Sequence, residues 1–477
     1  MGHVRPTMTS EENGNEDGGH DTADAEEHHV VTAFLRNAGE VLLLRRSDEV
    51  GTYAGLWGGV SGYAEGDPDA AARWEIDEEV GLLDAVTPVR AGDPVALTDD
   101  DLDTRWVVHP YLFDCAERAV EPTHEIRETA WVAPPEILRR GTVSELWTAY
   151  DRVRPTVETV TADTEHGSAY LSLRALEALR DGAGVRAVAR ETENETGRGT
   201  GGTATGAEDA DEQDGDWPAL VETAERLLDA RPSMTALVNR VNRAMTAATE
   251  DERADGPAAA VERAAHAGIK RALDADGRAA AVAAERVAGE TVLTLSRSGT
   301  VERALSGTTA SGDGDSTGPA GVYVAESRPA REGVGVAERL ASTGIEVTLV
   351  TDAAVAHVLG EGGVDRVVVG ADTVLPDGNV LNKTGTRGAA IAAANEGVPV
   401  DVVASADKVS TVATVVGENG PAEAVYDGDA DLRVANPTFD LTPAGFVTGV
   451  VTECGVLDAD GVADLAAEHR ALTAWRG

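Results

Sequence analysis

Three glutamates, Glu75, Glu78 and Glu79, stand at i, i+3 and i+4 within the segment Gly58 to Leu82, GGVSGYAEGDPDAAARWEIDEEVGL. On a helix that spacing sets the three carboxylates on one face about a turn apart, where they repel one another unless a cation lies between them. Hard oxygen donors suit Mg²⁺ or Mn²⁺, and a metal so held can polarise a phosphoryl oxygen and activate water. The glycines ahead of the helix let backbone approach both metal and phosphate. Charge alone would favour a solvated acidic helix in an acidic chain, so the order of the residues has to separate the two readings.

A second set of polar residues stands where strand-like runs end: Glu326-Ser327-Arg328-Pro329, Thr351-Asp352, Gly370-Ala371-Asp372 and Ser405-Ala406-Asp407-Lys408. The runs themselves are Val292 to Leu295, Val322 to Ala325, Glu346 to Val350, Arg366 to Val369 and Val400 to Ala404. Helical segments separate most of them, which predicts right-handed crossovers and a parallel, doubly wound sheet. In such sheets ligands bind beyond the carboxyl ends of the strands. Nearer the N-terminus, Val30 to Leu35 and Glu40 to Arg45 read as strands joined at Asn37-Ala38-Gly39, with further strands at Thr104 to Phe113 and Glu128 to Val132.

The 477 residues include 84 Asp+Glu against 40 Lys+Arg, a formal net charge of -44. A surface this negative disfavours general nucleic-acid binding and anionic membrane surfaces. Only Lys270, Lys383 and Lys408 are lysines; an acidic, lysine-poor composition is that of proteins from salt-loving microbes, where screening tolerates self-repulsion. Cys115 and Cys454 lack metal-ligand spacing and form no disulfide framework. With no long apolar run and no signal pattern, a cytoplasmic protein is expected. Residues 1–29 read as a disordered acidic tail, whose His20, His28 and His29 are taken as solvated rather than metal-binding, and 191–216 as a disordered acidic insertion. Asp216 and Pro218 should then open a helix. The folded parts are 30–150, a helical 160–288 and an alternating 289–477.

The glutamate segment resembles the Nudix box. Gly62, Glu75, Ile76, Glu78, Glu79, Gly81 and Leu82 match in order, and Arg45-Arg46 on the preceding strand pair is typical of that family. Two residues depart from the pattern: Asp67 stands for the first glutamate with the spacer one residue short, and Trp74 replaces the arginine that orients a catalytic glutamate. The resemblance implies an α/β/α sandwich with a mixed sheet, metal held by Glu75, Glu78 and Glu79, and Mg²⁺-dependent hydrolysis of a nucleoside diphosphate linked to another group.

The later segments resemble the translation initiation factor 2B α/β/δ family, which also contains sugar-phosphate isomerases. Matches include Glu165 to Ala169, Arg231-Pro232-Ser233, ESRPAREG from Glu326, GADTVLPDGNVLNKTGT from Gly370, Ala406 to Lys408, and Asn436 through Gly455. The family fold is a helical part followed by a Rossmann-like domain. The resemblance implies substrate contacts from Gly167, Ser168, Ala169, Arg231, Asn382, Lys383 and Lys408, with Asp372 as a catalytic carboxylate. Where the isomerases carry a catalytic cysteine, this chain has Ser296, followed by Arg297 and Ser298, which fall in the same loop of the substrate site. A serine hydroxyl is a far weaker acid than a thiol, so binding of a sugar phosphate or nucleotide is expected rather than isomerisation. A homo-oligomer formed through the Rossmann-like domain is also implied. The rival reading is a non-catalytic regulatory protein on a degenerate Nudix scaffold.

Overall fold

The computed structural model describes residues 26–49, 52–64, 66–199, 208–307, 318–415 and 417–476. The chain forms two compact units: one holds Leu43–Thr129, Val143–Val153 and the strand residues up to Leu35, and the other holds Arg36–Leu42, Ala130–Thr142 and the chain from Arg154 onward. Beside the parts expected at 30–150, 160–288 and 289–477, these units interleave along the sequence.

The first unit is built on an eight-stranded sheet of β1 (Glu26–Asn37), β2 (Glu40–Arg46), β3 (Trp57–Gly58), β4 (Val60–Tyr63), β5 (Val86–Ala91), β6 (Val95–Asp99), β7 (Thr104–Cys115) and β8 (Ile126–Val132). Its path runs β3-β2-β1-β7-β5, with β4 paired to β1, β6 to β7 and β8 to β2. β1 opens at Glu26, so the last residues assigned to the tail are strand, and residues 1–25 lie outside the described residues. The β1–β2 turn is the two-residue Ala38-Gly39 with both φ positive (51° and 79°), the twist that suits a tight hairpin.

Helix α1 (Pro68–Val80) carries the glutamates. Asp67 caps it by accepting the Asp69 N–H, Pro68 fills the first turn, and Gly81 ends it at φ 66°. Its buried stripe is Ala72, Glu75, Ile76 and Val80, the helical repeat that sets Glu75 inside with the apolar residues. Short helices α2 (Glu136–Arg139) and α3 (Leu146–Asp151) follow.

From Arg154 onward the second unit forms α4 (Val157–Ala162), α5 (Ser168–Gly199), α6 (Glu208–Ala230), α7 (Thr235–Thr249) and α8 (Pro257–Val287). Small and branched apolar residues, among them Ala175, Leu179, Ala224, Leu237, Val241 and Ala265, form their common core. The stretch expected as an insertion is helical at both ends, in α5 and α6, and residues 200–207 lie outside the described residues. Because α6 starts at Glu208, Pro218 sits inside the helix rather than opening it, and Asp216 pairs with Arg190 and, at 3.7 Å, Arg186.

Seven strands then form the sheet: β9 (Thr291–Leu295), β10 (Gly321–Ala325), β11 (Val347–Val350), β12 (Arg366–Val369), β15 (Val400–Val403), β17 (Gly449–Thr452) and β18 (Gly455–Leu457), in the order β11-β10-β9-β12-β15-β17-β18. All neighbours are parallel except the edge strand β18. The first six strands thus follow the doubly wound order in which the chain reverses between its first and fourth strands, here β9 and β12. Helices α9 (Gly299–Leu305), α10 (Glu332–Ser342), α11 (Val355–Gly360), α12 (Thr386–Glu396) and α13 (Ala459–Ala471) provide the crossovers and cover. A small antiparallel sheet of β13 (Thr373–Val374), β14 (Val380–Lys383) and β16 (Phe439–Thr442) completes the unit. Among the described residues no helix is long and apolar enough to cross a membrane.

Candidate functional site

In the first unit, β4 and α1 place two carboxylates together. Glu75 is 8% exposed, and a Cβ on Gly62 would stand 1.7 Å from its Oε1. Glu79 Oε2 accepts the Ser61 N–H at 3.0 Å. Burial, the charge of Glu78 and that of Glu125 push the Glu75 carboxyl up to about 7. Burial also pushes Glu79 up to about 8, with Glu75 and Glu125 adding to it and the Ser61 N–H and Arg46 opposing it. Glu78 itself is exposed.

Two carboxylates raised by burial and by neighbouring negative charge present the donor type and the uncompensated charge that a hard divalent cation fits. Among the described residues no three acidic, histidine or cysteine groups gather as a metal cluster, so Glu75 and Glu79 are the nearest approach to the expected trio. Glu125, just before β8, adds to the negative field and was missed by sequence reasoning, because it lies far outside the helix pattern. Trp74, at the position of the expected arginine, is 59% exposed. The cation acting on Glu79 is instead Arg46 of β2.

Next to these groups lies a cavity of about 130 Å³ lined by Thr32, Arg46, Tyr53, Gly62, Tyr63, Trp106 and neighbours. Its aromatic side is continuous: the Trp106 ring centroid is 6.5 Å from Tyr53, 6.2 Å from Tyr63 and 5.6 Å from His28. Tyr53 Oη donates to Asp99 Oδ2 at 2.5 Å, and burial with that carboxylate pushes the phenol up to about 12. Of the histidines expected in a solvated tail, His28 and His29 belong to strand β1 and His20 lies outside the described residues: the His28 ring packs, tilted, against Trp106 beside this cavity, and His29 Nδ1 lies 2.9 Å from His109 Nε2.

In the second unit the switch point gathers a second group. Ser296 follows β9 at φ 60°, and Ser327 follows β10 at φ 62°. Ser296 donates its N–H to Ser327 Oγ at 2.7 Å, while the Ser327 and Arg328 N–H groups reach the Asp352 carboxylate at 2.8 and 2.7 Å. Ser296 Oγ donates to Glu332 Oε2 at 2.7 Å, and Lys383 Nζ lies 3.3 Å from the same oxygen. Lys408 Nζ donates to the Ala371 carbonyl at 2.5 Å. Burial raises the Asp372 carboxyl against the opposing charges of Lys408 and Lys383, with Glu332 adding to the rise. Asp372, Lys383, Lys408 and Ser296 are therefore drawn together, and Glu332 joins them. Glu332 was legible only as one letter of the ESRPAREG run.

The other expected contacts have distinct places. Gly167 to Ala169 begin α5, where Arg231 Nη2 donates to the Asp163 carbonyl and His166 Nδ1 lies 2.8 Å from Asp163 Oδ2. Arg231 Nε is buried without a partner. The start of α7 joins this corner to the sheet: Thr235 Oγ1 and Thr373 Oγ1 are 3.0 Å apart, and Asn239 Nδ2 donates to the Asp407 and Val409 carbonyls at 2.9 and 2.8 Å. Asn382 Nδ2 donates to Thr386 Oγ1 at 2.9 Å, so its amide braces the loop after β14. Ser298 caps α9 by accepting the Val301 N–H at 3.4 Å.

Fold and site together define a two-part α/β protein: a unit with a buried glutamate beside a half-buried one, and a Rossmann-like unit with lysines and carboxylates at its switch point. The chain belongs to the Initiation factor 2 subunit family, whose model matches residues 164–459, and it carries a NUDIX domain matching residues 26–153. It is similar to the methylthioribose-1-phosphate isomerase of Pseudomonas syringae pv. tomato, with 33% identity over 285 residues, 56% of this chain and 79% of the relative. The ribose 1,5-bisphosphate isomerase of Haloferax volcanii is 40% identical over 154 residues, 30% of this chain and 47% of that protein. Among solved structures, the 5-methylthioribose 1-phosphate isomerase of Pyrococcus horikoshii OT3 matches with a TM-score of 0.47 at 20% identity, covering 73% of this chain and 90% of that one.

Proposed function

We propose that the NUDIX unit is a Mg²⁺-dependent hydrolase of a nucleoside diphosphate linked to another group, and that the Rossmann-like unit binds a pentose phosphate or a nucleotide. Glu75 and Glu79, both raised by burial, carry the first part. A divalent cation between them, with Mn²⁺ as substitute, would polarise the phosphoryl group and activate water. The protein's own share is to fix Glu75 against Gly62 and Glu79 on the Ser61 N–H, and to offer aromatic rings against which a base can pack. Glu78, exposed on the same helix, is the third carboxylate offered to that cation. Hydrolysis screened over nucleoside diphosphate derivatives, with and without Mg²⁺ at molar salt, tests this reading. Glu78→Gln should abolish the activity, and a variant as fast as the parent would refute the assignment.

For the second unit, Lys383, Lys408 and Arg231 supply cationic donors in an otherwise acidic protein, which suits a phosphate dianion. The relatives' substrates, methylthioribose 1-phosphate and ribose 1,5-bisphosphate, are the ligand class proposed for this chain. The fusion suggests that the first unit acts on an ADP-ribose-like compound and the second receives its ribose phosphate. Release of ribose 5-phosphate by the whole chain tests that link. The protein is further proposed to be cytoplasmic and to form a homo-oligomer through the Rossmann-like unit, which light scattering at high salt checks.

One observation favours a second reading, a non-catalytic regulatory protein: Trp74 leaves no cation at the expected place on α1. Ligand binding without turnover in either unit would select it.

A further inference from the structure

Glu332 is a charged group of the switch-point cluster to which sugar-phosphate binding gives no role. It opens α10, and both of its polar contacts fall on Oε2: the Ser296 hydroxyl at 2.7 Å and Lys383 Nζ at 3.3 Å. Oε1 is the oxygen left to a ligand, and the side chain keeps 24% exposure. Ser296, Ser327 and Arg331 all hold φ near +60°, in the region L residues seldom occupy (60°, 62° and 57°). Strain concentrated on three residues around one carboxylate marks a position the fold is built to hold. Asp372, raised by burial and by the Glu332 charge, is the partner suited to giving a proton, and Glu332 is the second carboxylate of the cluster, held in place by Ser296 and Lys383.

We propose that Glu332 is a catalytic base of this site, acting on the carbon-bound proton of a furanose 1-phosphate with Asp372 as the acid and Ser296 as the residue that positions it. The inference rests on the sugar-phosphate reading given above and adds turnover to it. Glu332 takes the proton from C2; that C–H electron pair forms the C1=C2 bond as the bond from C1 to the ring oxygen breaks, and Asp372 gives its proton to the ring oxygen. Asp372 then takes the proton of the 2-hydroxyl, a C2 carbonyl forms, and the C1=C2 pair receives at C1 the proton held by Glu332. Both carboxyls return to their starting states. The product is the open-chain ketose 1-phosphate, and no further reactant is needed.

The test uses the full chain at molar salt with ribose 1,5-bisphosphate and 5-methylthioribose 1-phosphate, following turnover by proton NMR in D₂O and binding by calorimetry. The parent should produce the ketose, with deuterium at C1 to the extent that the Glu332 carboxyl exchanges with solvent before it returns its proton. Glu332→Gln should lower kcat by about 100-fold or more, the usual scale of general base catalysis, with KM changed by less than about threefold. Ser296→Ala should lower kcat only about tenfold. If the Gln variant fails to fold, Glu332→Asp, which keeps the charge at shorter reach, should lose about tenfold in kcat. A Glu332 variant as fast as the parent overturns the inference, and so does a parent that binds these compounds without converting them; in both cases the binding reading stands. A parent that binds neither compound overturns both.

Discussion

A Cβ on Gly62 would stand 1.7 Å from Glu75 Oε1, so the carboxylate occupies the volume that any side chain at residue 62 would need. Gly62→Ala should therefore expel Glu75 from its place. The expected outcome is a loss of about 100-fold in Mg²⁺-dependent hydrolysis with the far-UV circular dichroism unchanged, since small misplacements of a reacting group cost that much.

Glu75 and Glu79 hold protons to about 7 and about 8 in the folded chain. Between the ordinary carboxylate range and those values the folded state binds more protons at these two groups than the unfolded one, so their contribution to stability is fully present below that range and is lost as pH rises toward 8. In EDTA the NUDIX unit should melt several degrees lower at about pH 8 than at about pH 6. Millimolar Mg²⁺ should raise Tm more at the higher pH, because binding no longer has to displace protons. Scanning calorimetry at fixed salt reads both effects.

Asp67 caps α1 through the Asp69 N–H at 3.1 Å. Asp67→Ala should cost about 1 kcal/mol, seen as a lower Tm, and Asp67→Ser should restore it. Hydrolysis by a folded Asp67→Ala chain should stay within about threefold of the parent if the cap is its whole role.

Trp106 is the hub of the aromatic wall, with three rings within 6.5 Å. Removing a stacking partner costs about 1–3 kcal/mol per base, so Trp106→Ala should raise KM for a nucleoside diphosphate substrate by about tenfold or more and leave kcat little changed. Initial-rate kinetics separates the two.

Lys383→Ala removes a cationic donor and leaves Glu332 without its ion-pair partner. Binding of ribose phosphates or nucleoside monophosphates should weaken by about tenfold or more, and Asp372→Asn should weaken it as well. Calorimetry on the intact chain measures both.

The elements that position these groups were legible where burial is continuous or periodic. The run from Val292 to Leu295 is a core strand, and the i, i+3, i+4 glutamates do lie on one helix, α1. What the pattern could not tell is which of the three is inside: Glu75 shares the buried stripe with Ile76, and Glu78 stays in solvent. Pro218 read as a helix start because its ring suits a first turn, yet α6 runs through it. Glu125 and Glu332 were missed because each is placed by segments distant in sequence, so no local spacing announces them. The strands β13 and β14 are too short to show alternation, although β14 delivers Asn382 and Lys383.

Two of the chain's three lysines, Lys383 and Lys408, flank Asp372, and the third, Lys270, is exposed on α8. A protein that meets its solvent with arginine and carboxylate carries almost no amines, so an amine-selective reagent finds few targets besides the pocket itself. Modification at Lys383, held against Glu332, should slow when a phosphate compound shields it, while Lys270 keeps its rate and serves as an internal clock. Mass spectrometry of the labelled peptides would then follow occupancy in mixtures, cell extract included, with no engineered probe.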